Sequence, residues 1–398
     1  MSWTVDDAGL VAFATRLATI PSVSGSERDA VEATAAELRR LNFDEVSIDS
    51  VGNCVGVIGT EAGPTVLIDG HIDSIPLHSR SSWTMDPFGG AIVGGRLYGL
   101  GICDQKASIA AAAYGLAAAR SALGQLSGRV ALVASVNEED VEGAALASVV
   151  NTFDPVCAVT SEPTDTRLCI GQRGRAKIVV TVTGRACHAG HARQGINAAE
   201  ALAAIIVQVR NLRHPVHQRL GRRDITCIDI KSLPYPSVST VPEEATARLD
   251  CRFLPGETAG ALLATIAEAA VQAVADWTEP PSVSVGLARA DFVTWTGHQF
   301  SQEEFKPAWW TDQTSALAQR AGSALASAGL DPEPTHYAFC TNGSYLSGVA
   351  GIPTIGFGVG EERLAHQVDE YVTLDSLRAG ARGFAAIASE LAWGPRSR

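Results

Sequence analysis

The chain is 398 residues long, room for two to three domains at roughly 150 residues each, and carries 43 acidic against 31 basic side chains for a net charge of −12. That balance excludes a nucleic-acid or anionic-membrane binder, which needs clustered Lys and Arg. With 46% apolar and 19% charged residues the chain has material for a large buried core, which excludes disorder for most of its length.

Two helices open the chain. Asp7 precedes an apolar stripe of Leu10, Phe13 and Leu17, and Ser24 with Glu27 forms a capping box ahead of Val31, Ala35 and Leu38. β-Branched runs at 53–59 and 64–69 read as strands, the second buried on both faces. A glycine-rich stretch leads into an Ala-rich helix over 107–119, closed by Lys106 and Arg120 and well short of the roughly 20 apolar residues of a membrane span. A further buried strand follows at 129–136, and this alternation argues for an α/β layer.

The texture changes near Gly171. Strands at 177–183, 224–231, 245–253 and 282–288 and helices at 197–212 and 256–275 follow in the order βαββαβ, the split ferredoxin-like unit, which reads as a domain inserted into the first. After a looser stretch at 291–310, the α/β texture returns with a helix over 314–328, a strand over 352–357 and a final helix marked by Leu377, Phe384, Ile387 and Leu391. The expected division is therefore 1–173 and 291–398 for one domain and 174–290 for the insert, with hinged crossings and a cleft that closes on a ligand. Eight cysteines stand singly, which favours reduced thiols, and residues 1–10 have no signal-peptide pattern; a cytoplasmic location is expected.

His and acidic residues cluster where predicted strands end, the place where open α/β sheets build sites. In Asp69-Gly70-His71-Ile72-Asp73 an extended backbone puts His71 and Asp73 on one face, so Asp73 can accept the spare ring N–H of a metal-bound His71; the segment alone fits a structural histidine equally well. Asp104, in Gly99-Leu100-Gly101-Ile102-Cys103-Asp104-Gln105-Lys106, is either a helix cap or a ligand. Glu138, Glu139 and Asp140 leave a buried strand together, where like charges need a cation and adjacent acids can divide the work of ligand and base. Glu162 and His366 sit in Ser161-Glu162-Pro163-Thr164 and Ala365-His366-Gln367-Val368-Asp369-Glu370. Cys103 beside Asp104 allows a rival mechanism with a thiol nucleophile.

These segments, in this order and over nearly the whole chain, resemble the co-catalytic metallopeptidase family of acetylornithine deacetylases, succinyl-diaminopimelate desuccinylases, aminoacylases, dipeptidases and carboxypeptidase G-type enzymes. The stretches Gly171-Gln172-Arg173-Gly174-Arg175 and Cys340-Thr341-Asn342-Gly343-Ser344 look most like a subgroup of hydrolases linked to selenium metabolism. The resemblance implies a helix-flanked, mixed-sheet α/β catalytic domain with an inserted ferredoxin-like lid and dimerisation domain. It implies two divalent ions, zinc with cobalt or manganese as substitutes, held by His71, Asp104, Glu139, Glu162 and His366, with Asp104 bridging. Glu138 would be the general base toward a metal-bridging hydroxide, and Asp73 would orient His71.

Gly184-Arg185-Ala186-Cys187-His188 resembles the family's lid motif, which implies that His188 reaches the partner subunit's site in a homodimer formed through the inserted domain. The loop departs from the family pattern at His191 and Ala192. Arg252, in Asp250-x-Arg252, is either a clamp for a substrate carboxylate or the partner of Asp250, and Asn342 is a further substrate-binding candidate. Glu162, where dipeptidases of the family often have Asp, favours the deacylase and carboxypeptidase branches. The expected function is amide hydrolysis in an N-acylated amino acid. A dipeptidase or carboxypeptidase is the alternative, and a metal-free ligand-binding relative a more distant one.

Overall fold

The computed structural model describes residues 3–124 and 126–393. The chain divides into two compact units: one runs to Gln172 and takes in Phe292–Phe300 and the chain from Trp310 on, the other holds Arg173–Asp291 and Ser301–Trp309.

In the first unit four parallel strands, Arg129–Ser135, Thr65–His71, Cys157–Thr160 and Thr354–Gly356, lie side by side in that order. Antiparallel strands Glu45–Ile48 and Cys54–Gly59 extend one side and Cys169–Gln172 the other, so the sheet is mixed. Thr65–His71 is buried at every position, and its side chains alternate between two cores. Val66 and Ile68 join a large core with the helices Asp7–Ala18, Ala107–Leu123 and Leu374–Ala388, while Leu67 joins a smaller one with Val133, Leu346 and Ile352. The Ala-rich helix lies close against the final helix: a Cβ at Gly115 would stand 2.3 Å from the Ala381 carbonyl oxygen. In the parallel register His71 pairs with Ser135 and Asp69 with Thr160, which brings the carboxyl ends of these strands to one edge.

The capping box expected at Ser24 and Glu27 does not form. The helix Arg28–Arg40 begins without a side-chain cap, because Ser24 Oγ donates to Asp73 Oδ2 at 2.7 Å and Glu27 accepts the Gly25 and Asn137 N–H groups at 2.9 and 3.1 Å. Both residues serve the strand-end edge in preference to their own helix.

In the second unit the strands Ser282–Leu287, Gly174–Thr183, Glu244–Phe253 and Asp224–Leu233 lie in that order, antiparallel throughout. This is spatial order 4-1-3-2, as expected for the βαββαβ unit. Ile178, Val180 and Val182 meet Leu202 and Ile205 of the helix Ala198–Arg210 and Leu262 and Ile266 of Ala259–Ala273 in one core. The stretch expected to be loose at 291–310 differs from that reading. Phe305–Lys306 pairs with Gly174–Thr183, and Phe305 stacks on Phe253 at 4.8 Å between ring centroids, which returns Ser301–Trp309 to this unit. Among the described residues no helix is long and apolar enough to cross a membrane.

Candidate metal centre

The aligned strand ends assemble six of the expected side chains. His71 closes its strand, Glu138 and Glu139 follow Arg129–Ser135, Glu162 follows Cys157–Thr160, Asp104 lies in the turn before Ala107–Leu123, and His366 lies beyond Thr354–Gly356. His71 Nε2 stands 3.1 Å from Asp104 Oδ1, 3.8 Å from Glu162 and 4.0 Å from Glu138. His366 Nε2 stands 3.3 Å from Asp104 Oδ2 and 3.0 Å from Glu139 Oε1. Each oxygen of Asp104 thus faces a different imidazole. Two overlapping trios, His71 with Glu138 and Glu162 and His71 with Asp104 and Glu139, have donor atoms within 4.8 Å of one another.

Backbone N–H groups hold this arrangement from outside. Asp73 is fully buried and accepts the N–H groups of Glu138 and Glu139 at 3.1 and 3.0 Å, fixing both acids by one carboxylate. His71 Nδ1 lies 3.1 Å from the Asp73 carbonyl oxygen and 3.4 Å from its carboxylate. The carbonyl is the nearer acceptor, and an Nδ1–H donating there leaves the Nε2 lone pair facing Asp104. Glu370 accepts three N–H groups of the Asp104 turn, and Asp369 accepts from Thr84 N at 2.8 Å, Thr84 Oγ1 at 2.6 Å and Met85 N at 3.1 Å. His366 itself adopts a left-handed backbone, φ 60°, which the surrounding contacts must enforce. Close packing adds to this: a Cβ at Gly358 would stand 2.2 Å from the Glu162 carbonyl oxygen.

The electrostatics fit divalent cations. Burial raises the carboxyls of Glu138 and Glu162 well above the usual range, and that of Glu139 in the same direction. Burial acts on Asp104 the same way, but its bonds to His366 and His71 reverse the effect and hold it low. Burial would lower His71, yet Asp104 and Asp73 raise it well above its ordinary value, and bonds to Asp104 and Glu139 raise His366 to about 10. Glu138 Oε1 and Glu162 Oε2 are buried with no hydrogen-bond partner. The converging carboxylates therefore call for positive charge among them. Oxygen and imidazole nitrogen donors without thiolate suit zinc, manganese or cobalt.

The model of peptidase family M20/M25/M40 matches residues 67–390, from the strand that ends on His71 into the last helical turns. The chain belongs to that family. It is 30% identical to the uncharacterized protein YgeY of Escherichia coli (strain K12), over 97% of this chain and 94% of that one. It is 26% identical to succinyl-diaminopimelate desuccinylase of Phenylobacterium zucineum (strain HLK1), over 92% and 94%. Its fold matches aminopeptidase PepT from Bacillus cereus ATCC 10987 with a TM-score of 0.76 at 17% identity, over 97% of this chain and 99% of that one. The M20/M25/M40 chain is accordingly a metallo-hydrolase with a candidate metal site.

Three other expected site residues of this M20/M25/M40 chain make bonds of their own. His188 is exposed on the second unit, where its Nδ1 accepts the Gly190 N–H at 3.0 Å, and Arg252 Nε donates to Asp250 at 2.8 Å. Asn342, expected to meet substrate, is 3% exposed: its amide nitrogen donates to Asp69 at 2.8 Å and Ser135 at 3.1 Å, and its oxygen accepts the Gly143 N–H. With its polar atoms engaged inside the protein, Asn342 braces the strand ends and does not present its amide to a ligand. Burial drives the Cys103 thiol well above its ordinary value, which removes the thiolate that a cysteine mechanism needs.

Ser24, Glu27, Asp369 and Glu370 bond to the segments that carry the cluster, and the sequence pattern does not single them out. Apart from Gly25, bonded to Glu27, their partners lie tens to hundreds of residues away along the chain, and most of those partners are backbone groups. The acidic pair beside His366 was the one available signal.

Proposed function

We propose that the chain hydrolyses the amide bond of an N-acylated amino acid, in the manner of a deacylase or desuccinylase, with two divalent ions held by His71, Asp104, Glu139, Glu162 and His366. The observation that carries this reading is Asp104, whose two carboxylate oxygens face His71 and His366 at 3.1 and 3.3 Å. Zinc is the proposed metal, with cobalt or manganese as substitutes; when bound, such a pair supplies Lewis acidity that brings a water's pKa toward ~7.

Glu138 takes the proton of the attacking water and returns it to the leaving nitrogen, so water and amide become carboxylic acid and amine. Its buried Oε1 has no protein partner, and Asp73 fixes its backbone. The Gly190 N–H on His188 Nδ1 places the His188 proton on Nε2, ready to donate to the carbonyl oxygen as charge develops there. Asp250 fixes the Arg252 guanidinium, whose terminal nitrogens can grip a substrate carboxylate.

The proposal includes a homodimer through the second unit. Its edge strand Asp224–Leu233 leaves Ile228 and Ile230 54% and 62% exposed, an apolar edge that association would cover. All eight cysteines are free, which supports a reducing compartment such as the cytoplasm. A dipeptidase or carboxypeptidase would use the same residues, and membership of a peptidase family favours that as the second reading. The test is a panel on the metal-loaded protein, with N-acetyl, N-succinyl, N-formyl and N-carbamoyl amino acids set against dipeptides. Preference for the N-acyl compounds supports the deacylase; preference for dipeptides favours the second reading; no hydrolysis of either overturns both.

A further inference from the structure

Next to His366 lies a pocket of about 180 Å³, walled by Ile75, Leu77, Trp83, Leu100 and Val368. We infer that this pocket is a specificity subsite for an uncharged apolar group of the substrate, a single aromatic ring or a branched aliphatic chain. The inference rests on the amide-hydrolase reading above, which makes His366 part of the reaction centre.

Three observations carry it. Position comes first: one wall begins two residues after Asp73, which fixes Glu138 and Glu139, and the other begins at His366, so a group bonded to an amide held at the cluster has this pocket within reach. Size and lining come second. The volume is of the order of the roughly 150 Å³ that holds benzene in an aliphatic- and aromatic-lined cavity; His78, Ser79, Ser82, His366 and Gln367 complete the lining, and none of the lining residues is Lys, Arg, Asp or Glu. A side-chain ammonium would lose its hydration there without gaining a counter-charge. The Ser79 hydroxyl at the rim is already engaged by Ser81 and Ser82 at 3.0 and 3.2 Å.

Preorganisation comes third. Asp369, one residue after Val368, binds Thr84 and Met85, one and two residues after Trp83, so one carboxylate ties the two walls together before any ligand arrives. Ordering that the protein has already undergone is not charged against binding.

The experiment uses the full-length, zinc-loaded chain with N-acetyl-phenylalanine and N-acetyl-leucine against N-acetyl-aspartate and N-acetyl-ornithine, and N-benzoyl-glycine against N-succinyl-glycine. Leu77→Trp, to fill the pocket, and Leu77→Ala, to enlarge it, are compared with the parent after thermal melts establish that each is folded. Within at least one set kcat/KM favours the apolar member by at least tenfold, the discrimination a hydrophobic pocket gives for a group of this kind. Leu77→Trp brings that ratio below threefold, and Leu77→Ala moves the preference toward the larger group. Hydrolysis with equal or higher kcat/KM for the charged members in both sets, or a ratio that neither variant moves, overturns the subsite and leaves the amide-hydrolase reading intact. If nothing is hydrolysed the reaction reading fails, and titration calorimetry with phenylalanine and leucine against aspartate and ornithine decides the pocket separately. Apolar binding weakened at least tenfold by Leu77→Trp upholds it; no difference between the two pairs of ligands overturns it.

Discussion

Glu370 holds Asp104 from behind: its carboxylate accepts the Asp104 backbone N–H at 3.1 Å, together with those of Cys103 at 2.7 Å and Gly101 at 3.0 Å. One buried side chain thereby sets the turn from which Asp104 faces both imidazoles. Glu370→Gln replaces one acceptor oxygen by a donor aimed at backbone donors. Metal affinity, measured by competition with a chromophoric chelator, is expected to fall about 10- to 100-fold, the usual effect of losing a residue that orients a ligand. Unchanged affinity in a folded variant would show that the turn holds itself.

Glu138 is assigned proton transfer and not ligation, although its donor atoms lie near those of His71 and Glu162. Glu138→Gln should lower kcat by at least about 10²-fold, the lower range for a general base, while metal content stays at that of the parent. Mass spectrometry of the loaded variant separates the roles: loss of one ion makes Glu138 a ligand.

His188 and Glu138 are expected to act in one site built from two chains. Each single variant, His188→Ala and Glu138→Ala, should lose turnover, His188→Ala by about 10²–10³-fold in kcat, as for other oxyanion donors. Unfolding and refolding the two variants together allows mixed dimers, in which one site has both residues intact. Activity well above that of either variant alone is the expected result. If the mixture stays inactive, His188 does not work across the dimer.

The buried Glu27 gives the fold a pH signature. Burial first, and the charge of Asp73 second, raise its carboxyl from the ordinary 4.5 to about 7. The folded chain therefore keeps this proton to higher pH than the unfolded chain, so stability is fully present below about 4.5 and is lost as pH rises toward 7. A carboxyl raised that far contributes at most about 3 kcal/mol. Urea unfolding at pH 5 and pH 8, at fixed metal concentration, should show a pH difference about 2–3 kcal/mol smaller for Glu27→Gln than for the parent. An unchanged difference would place the titration elsewhere.

Residues whose work is done at a strand end were legible from the sequence, and residues that support them were not. His71, Glu138 and Glu162 stand just past apolar runs that can only be buried strands, so their convergence follows from a parallel sheet with aligned carboxyl ends. Asp104 was ambiguous because a residue before a helix is ordinarily a cap, and only the fold shows it between two histidines. Ser24 and Glu27 misled for the same physical reason: a hydroxyl or carboxylate near a helix start bonds the nearest free N–H unless a buried partner competes, and here Asp73 and Asn137 compete. Asn342 is a substrate-binding candidate from the segment Cys340-Thr341-Asn342-Gly343-Ser344, and nothing in that segment announces that its amide is buried against Asp69 and Ser135. The ferredoxin-like unit was readable from its strand and helix order, but the return of Phe305 to its sheet depends on stacking against Phe253, 52 positions earlier in sequence.

The most direct measurement of the central claim is the number of metal ions bound per chain, by mass spectrometry after zinc loading and removal of free metal. The parent should hold two, His71→Ala and His366→Ala about one each, and Asp104→Ala fewer than one, because its two carboxylate oxygens face the two imidazoles at 3.1 and 3.3 Å. Fewer than one ion in the parent, or two retained by Asp104→Ala, would contradict the account.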